Sequence, residues 1–502
     1  MAAKKIMIQG TGSSVGKSVI TAALCRYFRA EGFRVAPFKA QNMSNNSFVT
    51  VGGGEIGRAQ AFQAQACDIE PTVEMNPILL KPSTDTGAQV VVLGKALGVM
   101  NAREYHAVQP RLIGVIRESL ATLSEQYDMI IIEGAGSPAE INLRPFDIVN
   151  MRVAQMACAP VLLVGDISLG GVFASLVGTL ELLQEEERAL VKGFLINKFR
   201  GDVSLLQDGL EFLEAKTGKK VLGVLPFVPD LGVPEEDSLA ESKWWQPKPT
   251  DTHKLLIQVI LFPHISNLTD FEPLEREPDV ELRYLRRPPR LDERLPDLLI
   301  LPGSKATMAD LAFVRSSGLA DYIHRCHDVG VPILGICGGY QMLGQKLFDP
   351  LAVESRTDSM EGLGLLDVQT TFETEKTTQQ VRALSLDHEE ALTGYEIHMG
   401  RTTSVGACRP LFQVIERSGK PVREFDGSQS ESGRVRGTYL HGVFDTPPFR
   451  RRLLNEMRTR RGWQPLALTP CTAASNLFAS LVDLVRQHVD LPGLQKILAI
   501  GA

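Results

Sequence analysis

Residues 5–18 give the clearest indication of the fold of the first half, and they read Lys5-Ile-Met-Ile-Gln-Gly-Thr-Gly-Ser-Ser-Val-Gly-Lys-Ser18. An apolar run typical of a buried strand enters a glycine-rich turn, after which a helical pattern begins. Glycines let backbone N–H groups approach a phosphate closely, while a helix N-terminus and a lysine supply positive potential. The stretch therefore predicts a nucleotide phosphate site, and its candidate residues are Gly12, Ser13, Ser14, Val15, Gly16, Lys17 and Ser18.

The spacing of this turn differs from the strict Walker A pattern, because Thr11 stands five residues before Gly16. Partition-type ATPases carry a second lysine five residues before the phosphate-loop lysine, and here that position is Gly12. The turn instead resembles that of the dethiobiotin synthetase-type fold, whose members use ATP to activate carboxylates. The alternative is a glycine-rich turn between a strand and a helix, with a surface lysine.

Acidic and polar residues end several predicted strands of this half. Ligands of open α/β sheets bind at the carboxyl edge of the strands, where Glu133 and the hydroxyl of Ser18 are candidates for Mg²⁺. Asp166 could lie at the same edge, although either carboxylate could instead face solvent. Asn197 and Lys198 end a later strand and resemble the adenine-reading position of the synthetase-type fold.

Short runs rich in valine, isoleucine and leucine alternate with helical patterns through the first half. Runs that are apolar throughout are typical of strands covered on both faces. This alternation predicts an α/β fold with a doubly wound, mostly parallel sheet. The predicted strands are Lys5–Gln9, Arg34–Phe38, Gln89–Leu93, Met129–Glu133, Val161–Gly165, Gly193–Asn197 and Val221–Leu225, and the helices include Lys17–Glu31, Arg103–Glu125 and Gly171–Glu186.

A change of composition near residue 243 predicts a domain boundary. Residues 244–253 contain two prolines and no apolar periodicity, which indicates a linker. A second α/β pattern follows, and a helix is predicted at Asn476–His488. We therefore assign residues 1–243 to an ATP-dependent P-loop domain, and residues 254–502 to a second α/β domain that includes the C-terminal helices.

One cysteine of the second half has a setting typical of a nucleophile. In Val331-Pro-Ile-Leu-Gly-Ile-Cys-Gly-Gly-Tyr-Gln341 an apolar strand meets Cys337 between small residues, and a helical pattern follows. Small neighbours allow the strained turn of a nucleophile elbow, and the helix N-terminus lowers the thiol pKa. The alternative is a buried structural cysteine at a tight turn.

A cysteine nucleophile needs a base, and two histidines are candidates. His441, which follows a short β-like run, is favoured, and His398 is the rival. The backbone N–H groups of Gly303 and Gly338, each at a turn after a strand, could form an oxyanion hole. An ordinary loop between strand and helix is the alternative for Gly303.

The segments Gly335-Ile-Cys-Gly-Gly-Tyr-Gln341 and Tyr439-Leu-His-Gly442 resemble class I glutamine amidotransferases. The resemblance implies that this domain hydrolyses glutamine through a thioester on Cys337 and releases ammonia. Most members carry a glutamate two residues after the histidine, where it orients the ring, but here that position is Val443. The amidotransferases of cobyrinic acid amidation are similar in lacking this glutamate, so we predict a cysteine–histidine dyad.

Composition and charge restrict the possible functions. The chain has 53 Lys plus Arg and 59 Asp plus Glu among its 502 residues, and this net charge of −6 disfavours general nucleic-acid binding. Seven cysteines without a CxxC pair argue against a disulfide framework or a zinc ribbon and predict a cytoplasmic protein. The most apolar region, residues 153–183, is interrupted by Asp166 and glycines, which favours a buried strand and helix over a membrane span.

Motifs in both halves make nearly the whole chain similar to the cobyric acid synthase family. They include Pro37-Phe-Lys-Ala-Gln-Asn-Met-Ser-Asn-Asn-Ser47 and Gly394-Tyr-Glu-Ile-His-Met-Gly-Arg401. The resemblance implies that ATP and glutamine drive amidation of the b, d, e and g carboxylates of a corrinoid, adenosylcobyrinic acid a,c-diamide, with ammonia following a shielded path. It also implies that Lys39 and Lys81 hold phosphate or substrate carboxylates, and that Asn42 is a weaker Mg²⁺ ligand.

One departure from the family concerns residues 166–173, which read Asp-Ile-Ser-Leu-Gly-Gly-Val-Phe. The family usually shows Asp-Ile-Asp-Arg-Gly-Gly-Val-Phe, so Ser168 and Leu169 replace an acid and an arginine. Two alternatives stay open: a glutamine-dependent ligase for another polycarboxylate, such as the sister a,c-diamide synthase, or a nucleotide-switched binding protein with a vestigial glutaminase. The intact Lys17, Cys337 and His441 argue against the binding protein.

Overall fold

The computed structural model describes residues 3–82, 87–228, 251–467 and 473–500. These residues divide into two units. The first unit comprises Met1–Ser44, Glu55–Glu236 and Thr472–Ala502, and the second comprises Asn45–Gly54 and Asp237–Cys471. Of the predicted linker, residues 244–250 lie outside the described residues, and residues 251–253 are exposed.

The first unit is built on a six-stranded sheet in which every neighbouring pair of strands is parallel. Successive residues of its first strand enter different cores, since Ile6 and Ile8 belong to one apolar cluster and Met7 to another. Both faces are therefore covered, and the predicted doubly wound α/β fold is confirmed. In spatial order the strands are Lys220–Pro226, Val191–Phe199, Val161–Asp166, Lys4–Gly10, Met129–Glu133 and Val35–Phe38.

Two predicted elements of this unit differ from the structure. The run Gln89–Leu93 falls in a strand, but that strand pairs antiparallel on both sides in a separate four-stranded sheet. The single predicted helix Gly171–Glu186 is two helices, because Leu183 is extended and the N–H of Gln184 donates to the carboxylate of Glu187, which starts a new helix. The smaller sheet contains Gln41–Met43, Ile78–Pro82, Gly87–Val92 and Lys95–Asn101, and a further short strand is Glu55–Gly57.

The two C-terminal helices pack in the first unit, so their predicted assignment to the second domain is wrong. The ring of Phe478 lies 5.6 Å from that of Phe62. The guanidinium of Arg26 lies over the Phe478 ring, 5.3 Å from its centroid. The sequence indicates an amphipathic helix but not the surface that the helix covers. The helices of this unit are Lys17–Ala30, Arg58–Ala66, Ala102–Gln126, Met151–Ala157, Val172–Leu182, Glu185–Leu190, Gln207–Thr217, Ala473–His488 and Leu491–Ile500, with 3₁₀ turns at Val73–Met75, Ile141–Phe146 and Val203–Leu206.

The second unit contains a mainly parallel sheet and a mainly antiparallel one. In the parallel sheet the spatial order is Val280–Leu285, Leu255–Ile260, Leu298–Leu301, Ile333–Ile336, Val435–Thr438 and Ser428–Gln429, and only the last pair is antiparallel. The other sheet contains Ser359–Glu361, Lys346–Phe348, Val368–Ser385, Ala391–Ser404, Leu440–His441, Phe412–Arg417 and Lys420–Asp426. A third, two-stranded pair joins Ile265–Ser266 to Gly303–Ser304.

The described helices of the second unit are on average shorter than those of the first unit. The helices are Glu272–Glu275, Thr307–Ser316, Leu319–Asp328, Gly338–Leu343 and Pro447–Arg460, with 3₁₀ turns at Leu268–Phe271 and Val443–Asp445.

Residues 45–54, which we call the insertion arm, pack in the second unit although the first domain was predicted to hold them. The ring of Phe48 lies 5.8 Å from that of Tyr395. The Val49 carbonyl accepts a hydrogen bond from the Gln380 amide at 2.9 Å. A run of ten residues with only a few apolar side chains gives no sign of the surface on which it packs, and the prediction therefore missed this arm.

Two further findings concern the described part of the chain. None of its helices has both the length and the hydropathy that a membrane crossing requires. The six cysteines that it contains are free thiols, and Cys471 lies outside it.

Candidate active sites

The phosphate loop, residues 10–18, turns directly from the strand Lys4–Gly10 into the helix Lys17–Ala30. Gly16 has φ of +100°, and a methyl group there would lie 2.1 Å from the Asn197 side-chain nitrogen, so this position requires glycine. The Lys17 ammonium donates to the carbonyls of Gly12 at 2.8 Å and Gly136 at 3.1 Å. The predicted residues therefore form a loop with its lysine folded over it.

Glu133 ends its strand beside this loop and is completely buried. Its carboxylate accepts hydrogen bonds from the Ser18 hydroxyl at 2.8 Å, the Lys39 ammonium at 2.9 Å and the Gln63 amide at 2.5 Å. Burial raises the pKa of Glu133, but the Lys39 charge and these hydrogen bonds outweigh it and hold the pKa below its usual range. The structure thus brings Lys39, which was predicted as a phosphate or substrate contact, to the two candidate Mg²⁺ ligands Ser18 and Glu133.

Asn197 and Lys198 support the phosphate loop from the other side. The Asn197 side chain donates to the Val15 carbonyl at 2.8 Å. The Lys198 ammonium donates to the Ser14 carbonyl at 2.7 Å and pairs with Asp166 at 2.8 Å. Asp166 therefore lies at the predicted carboxyl edge. Burial raises the pKa of Asp166, but hydrogen bonds from Lys198 and Ser168 outweigh burial and hold this pKa below its usual range.

The contacts of Asn42 and Lys81 lead away from Glu133. The Asn42 amide donates to the Gln60 side chain at 3.0 Å, and the Lys81 ammonium forms a buried ion pair with Glu55. Gln60 precedes Gln63, the partner of Glu133, by three residues on the same helix, so the two side chains share a face. That helix is the link between Asn42 and the carboxylate.

Cys337 occupies the nucleophile elbow, residues 335–339, between the strand Ile333–Ile336 and the helix Gly338–Leu343. Its backbone has φ of 51° and ψ of −109°, a strained conformation for a residue with a side chain. A methyl group at Gly339 would lie 2.0 Å from the Leu301 carbonyl oxygen, so the turn requires a glycine there. The predicted elbow is present, and the strain falls on the cysteine itself.

The two candidate histidines have different surroundings. Burial lowers the pKa of His441, but the Asp270 charge and hydrogen bonds with Asp270 and Cys337 raise it to about 10. Burial lowers the pKa of His398 to about 4, and its Nδ1 lies 2.8 Å from the Gly400 carbonyl. The His398 ring stacks on that of Tyr439 at 3.8 Å. The Cys337 thiol influences the pKa of His441 but not that of His398, which favours His441 as the candidate base.

The predicted oxyanion glycines lie side by side. A methyl group at Gly338 would come within 2.9 Å of the Ser304 backbone nitrogen. A methyl group at Gly303 would come within 3.0 Å of His441 Cε1. The loop after the strand Leu298–Leu301 therefore packs against both the elbow and the histidine.

Sequence reasoning missed Asp270, which lies in the 3₁₀ turn Leu268–Phe271. Its carboxylate is 2.7 Å from His441 Nδ1, so the prediction that the histidine lacks an acidic partner is wrong. Asp270 precedes the histidine by 171 residues, and no motif or spacing in the sequence connects the two. Tyr395, whose ring stacks on that of His441 at 5.3 Å, was missed for the same reason.

Two family models match the two halves of the chain. Residues 6–239 match a CobQ/CobB/MinD/ParA nucleotide binding domain, and residues 256–449 match a CobB/CobQ-like glutamine amidotransferase domain. The cobyric acid synthase of Sorangium cellulosum (strain So ce56) is 49% identical, with 100% of this chain and 99% of the relative covered. That of Pelotomaculum thermopropionicum is 52% identical, with coverages of 92% and 88%.

This chain belongs to the cobyric acid synthase family. The resemblance predicted from its motifs is confirmed. As a member of the cobyric acid synthase family with both matched domains, the chain is an enzyme, a glutamine-dependent ligase that uses ATP.

Proposed function

We propose that this enzyme converts adenosylcobyrinic acid a,c-diamide into adenosylcobyric acid by amidating its b, d, e and g carboxylates. One observation carries the proposal: a single chain that aligns with cobyric acid synthases over its full length holds a phosphate loop beside buried Glu133 and a strained Cys337 next to His441. The cytoplasmic setting predicted from the cysteines belongs to the same proposal.

The second unit supplies the nitrogen. The Cys337 thiolate attacks the side-chain carbonyl carbon of glutamine, and the backbone N–H groups of Gly303 and Gly338 stabilise the oxyanion. The carbon–nitrogen bond then breaks, and ammonia leaves with a proton from His441. Water hydrolyses the thioester to glutamate and regenerates the thiol. The high pKa of His441 supports this role, because an imidazolium favours the thiolate.

The first unit activates the acid. A substrate carboxylate attacks the γ-phosphorus of ATP, ADP leaves, and ammonia displaces phosphate from the acyl phosphate to form the amide. Lys17 and the loop N–H groups of residues 12–18 would hold the transferring phosphates. Lys39, whose ammonium donates to the Glu133 carboxylate, would bind a phosphate or a substrate carboxylate at the same edge of the sheet. Asn197 and Lys198 would act by holding the loop in shape, as their hydrogen bonds indicate.

The donor set at Glu133 fits Mg²⁺. This ion prefers one or two carboxylates together with a hydroxyl, water and phosphate oxygens, and the Ser18 hydroxyl lies 2.8 Å from a Glu133 oxygen. Ser18 and Glu133 would hold the ion once the Lys39 ammonium exchanges the Glu133 oxygen for phosphate, and the ion would neutralise phosphate charge. Asn42 remains a weaker candidate ligand, since an amide oxygen carries less negative charge than a carboxylate oxygen.

The substrate contacts of this proposal are Lys39 and Lys81, which would bind phosphate or corrin carboxylates. Lys81 is paired with Glu55 and would have to exchange that partner for a substrate carboxylate. Ser168, in place of the family acid, donates its N–H and hydroxyl to Asp166 at 2.8 and 2.6 Å, while Leu169 is 83% exposed. The serine therefore supplies two hydrogen bonds to Asp166, and the leucine leaves the arginine's charge unreplaced.

The test mixes the purified full-length protein, ATP, Mg²⁺, glutamine and the corrin diamide. Each amidation replaces OH by NH₂, so the corrin mass should fall by about 1 unit per step, and omission of ATP or glutamine should prevent the change. An unchanged corrin, with glutamine-dependent ATP turnover on a different polycarboxylate, would favour the alternative ligase. ATP binding without turnover on any acid would favour the binding protein.

A further inference from the structure

We propose that Asp270 is the positioning residue of the glutaminase and replaces the acid that is missing after the histidine. This inference rests on the proposed glutamine hydrolysis at Cys337. The carboxylate comes from a turn far upstream in the chain, so the triad is assembled in the order acid, nucleophile, base.

Both oxygens of Asp270 are engaged by the segment that carries the base. Oδ2 lies 2.7 Å from His441 Nδ1, and Oδ1 accepts the backbone N–H of Gly442 at 3.1 Å. Only 2% of the Asp270 side chain and 1% of the His441 side chain are exposed. Because water barely reaches the pair, the carboxylate fixes both the orientation of the ring and the backbone beside it.

The turn that holds Asp270 is itself constrained. The Asp270 N–H donates to the Asn267 carbonyl at 2.9 Å, and Asn267 has φ of 54°. The Asn267 side-chain oxygen accepts a hydrogen bond from the Ser47 N–H at 2.9 Å. The backbone N–H of Asn267 donates to the Asn45 carbonyl at 3.3 Å. The insertion arm therefore fixes the turn, which makes Asp270 a preorganised partner for the histidine.

The geometry sets the tautomer of the base. A proton on Nδ1 bonds to Asp270 and leaves Nε2 to receive the Cys337 proton. The proton moves from sulfur to Nε2 and then to the departing ammonia, and the carboxylate stays ionised throughout. The groups that face His441 are the Asp270 carboxylate, the Cys337 thiol, the Tyr395 ring and, at longer range, His398. Val443, at the usual acid position, offers no charge.

The test compares Asp270→Asn, Asp270→Glu and a matched control, Asp279→Asn, in the full-length protein. Asp279 is a carboxylate of the same unit that accepts two hydrogen bonds from Arg458, each 2.8 Å long, so its loss reports only on stability. Three quantities are measured: kcat and KM for glutamate release, ammonia-dependent amidation, and the pH dependence of Cys337 alkylation by iodoacetamide, followed by mass spectrometry.

Asp270→Asn should lower kcat for glutamine about 10²- to 10⁴-fold, because an amide that donates to Nδ1 selects the wrong tautomer. The KM for glutamine and the ammonia-dependent activity should stay near wild type. Cys337 alkylation should slow at neutral pH and recover only at higher pH, because the thiolate loses its imidazolium partner. Asp270→Glu should recover part of kcat, and Asp279→Asn should keep the wild-type alkylation profile.

If Cys337 alkylation in Asp270→Asn keeps the wild-type pH dependence, the proposal is wrong, whatever the glutaminase activity of the variant. It is also wrong if Asp279→Asn lowers kcat for glutamine as much as Asp270→Asn does. If the wild-type protein releases glutamate and Asp270→Asn releases it equally fast, the positioning role fails and the proposed function stands. If the wild-type protein releases none with ATP and corrin diamide present, both fail.

Discussion

The phosphate loop and the nucleophile elbow are both turns from a parallel strand into a helix, but they use backbone strain differently. In the phosphate loop the left-handed residues are Ser14 at 59° and Gly16 at 100°, and the reactive cation is their neighbour Lys17. In the elbow the left-handed residue, at 51°, is Cys337 itself, the proposed nucleophile. The first turn arranges several backbone N–H groups around a proposed ligand site, whereas the second turn fixes the orientation of a single sulfur atom.

The two turns also differ in what surrounds the glycines. A methyl group at Gly16 would meet the side chain of Asn197, which can move, whereas one at Gly339 would meet the backbone carbonyl of Leu301, which cannot. The elbow is thus the more rigid of the two. A nucleophile needs a fixed direction, while a nucleotide site must admit and release its ligand.

The largest effect should come from removing the nucleophile. Cys337→Ala should lower glutamine-dependent amidation by about 10⁴-fold or more, because no thioester can form. Ammonium chloride should still support amidation, since the phosphate loop is intact. Product formation with each nitrogen source checks this by mass spectrometry. If ammonia also fails, the cysteine has a structural role and the two turns are not separable.

Removing the loop lysine should be the next largest change. Lys17→Ala should lower amidation about 10²- to 10³-fold with either nitrogen source, because the transferring phosphoryl group loses a cation. The measurement is ADP release and amide formation with glutamine and with ammonia. Arg26→Ala, on the same helix but over Phe478, serves as the control. Full activity of Lys17→Ala would contradict the assignment of the phosphate loop.

Alanine substitutions of the glycines in the two turns should lower the free energy of unfolding by different amounts. Gly339→Ala should lower the free energy of unfolding by about 3 kcal/mol, because it overpacks against a backbone carbonyl. Gly16→Ala should cost about 1–2 kcal/mol, from its positive φ and the displaced Asn197. Gly12→Ala, which meets nothing within 4 Å, is the control. Denaturant unfolding gives the order, and a larger loss of stability for Gly16→Ala would contradict the greater rigidity of the elbow.

The histidines near the elbow should give opposite pH dependences of stability. The pKa of His398 is lowered to about 4, so between pH ~6.5 and 4 only the unfolded chain takes up this proton and stability falls as the pH falls. The pKa of His441 is raised to about 10, so its contribution is complete below pH ~6.5 and is lost as the pH rises to 10. Unfolding midpoints against pH should flatten on the acid side in His398→Gln and on the alkaline side in His441→Gln.

The smallest effect should come from the insertion arm. Phe48→Ala removes the ring that packs on Tyr395, which in turn stacks on His441, and should lower glutamine hydrolysis about 2- to 10-fold by loosening the base. Phe425→Ala, at a ring that is 63% exposed in the same unit, should leave hydrolysis unchanged. Equal rates for both variants would show that the arm has no part in positioning the histidine.

Much of the fold and of the site followed from local patterns. The apolar strands, the glycine turns at Gly16 and Cys337 and the acid at Glu133 are signals written within a few residues, because backbone strain and helix starts are local properties. The Gln89–Leu93 strand was placed in the wrong sheet, since an apolar run does not specify its pairing partners. The C-terminal helices were placed in the wrong unit, since an amphipathic face does not specify what covers it.

Local sequence patterns were enough to predict the two proposed chemistries: a lysine and glycines for phosphate, and a thiol at a strained turn for glutamine. The side chains that complete each site became apparent only in the folded chain. Lys39 and Gln63 converge on Glu133, and Asp270 meets His441 across 171 residues of chain. The physical reason is that a turn is fixed by the dihedral preferences of adjacent residues, whereas a buried charge takes its partner from whatever the fold places within hydrogen-bond distance.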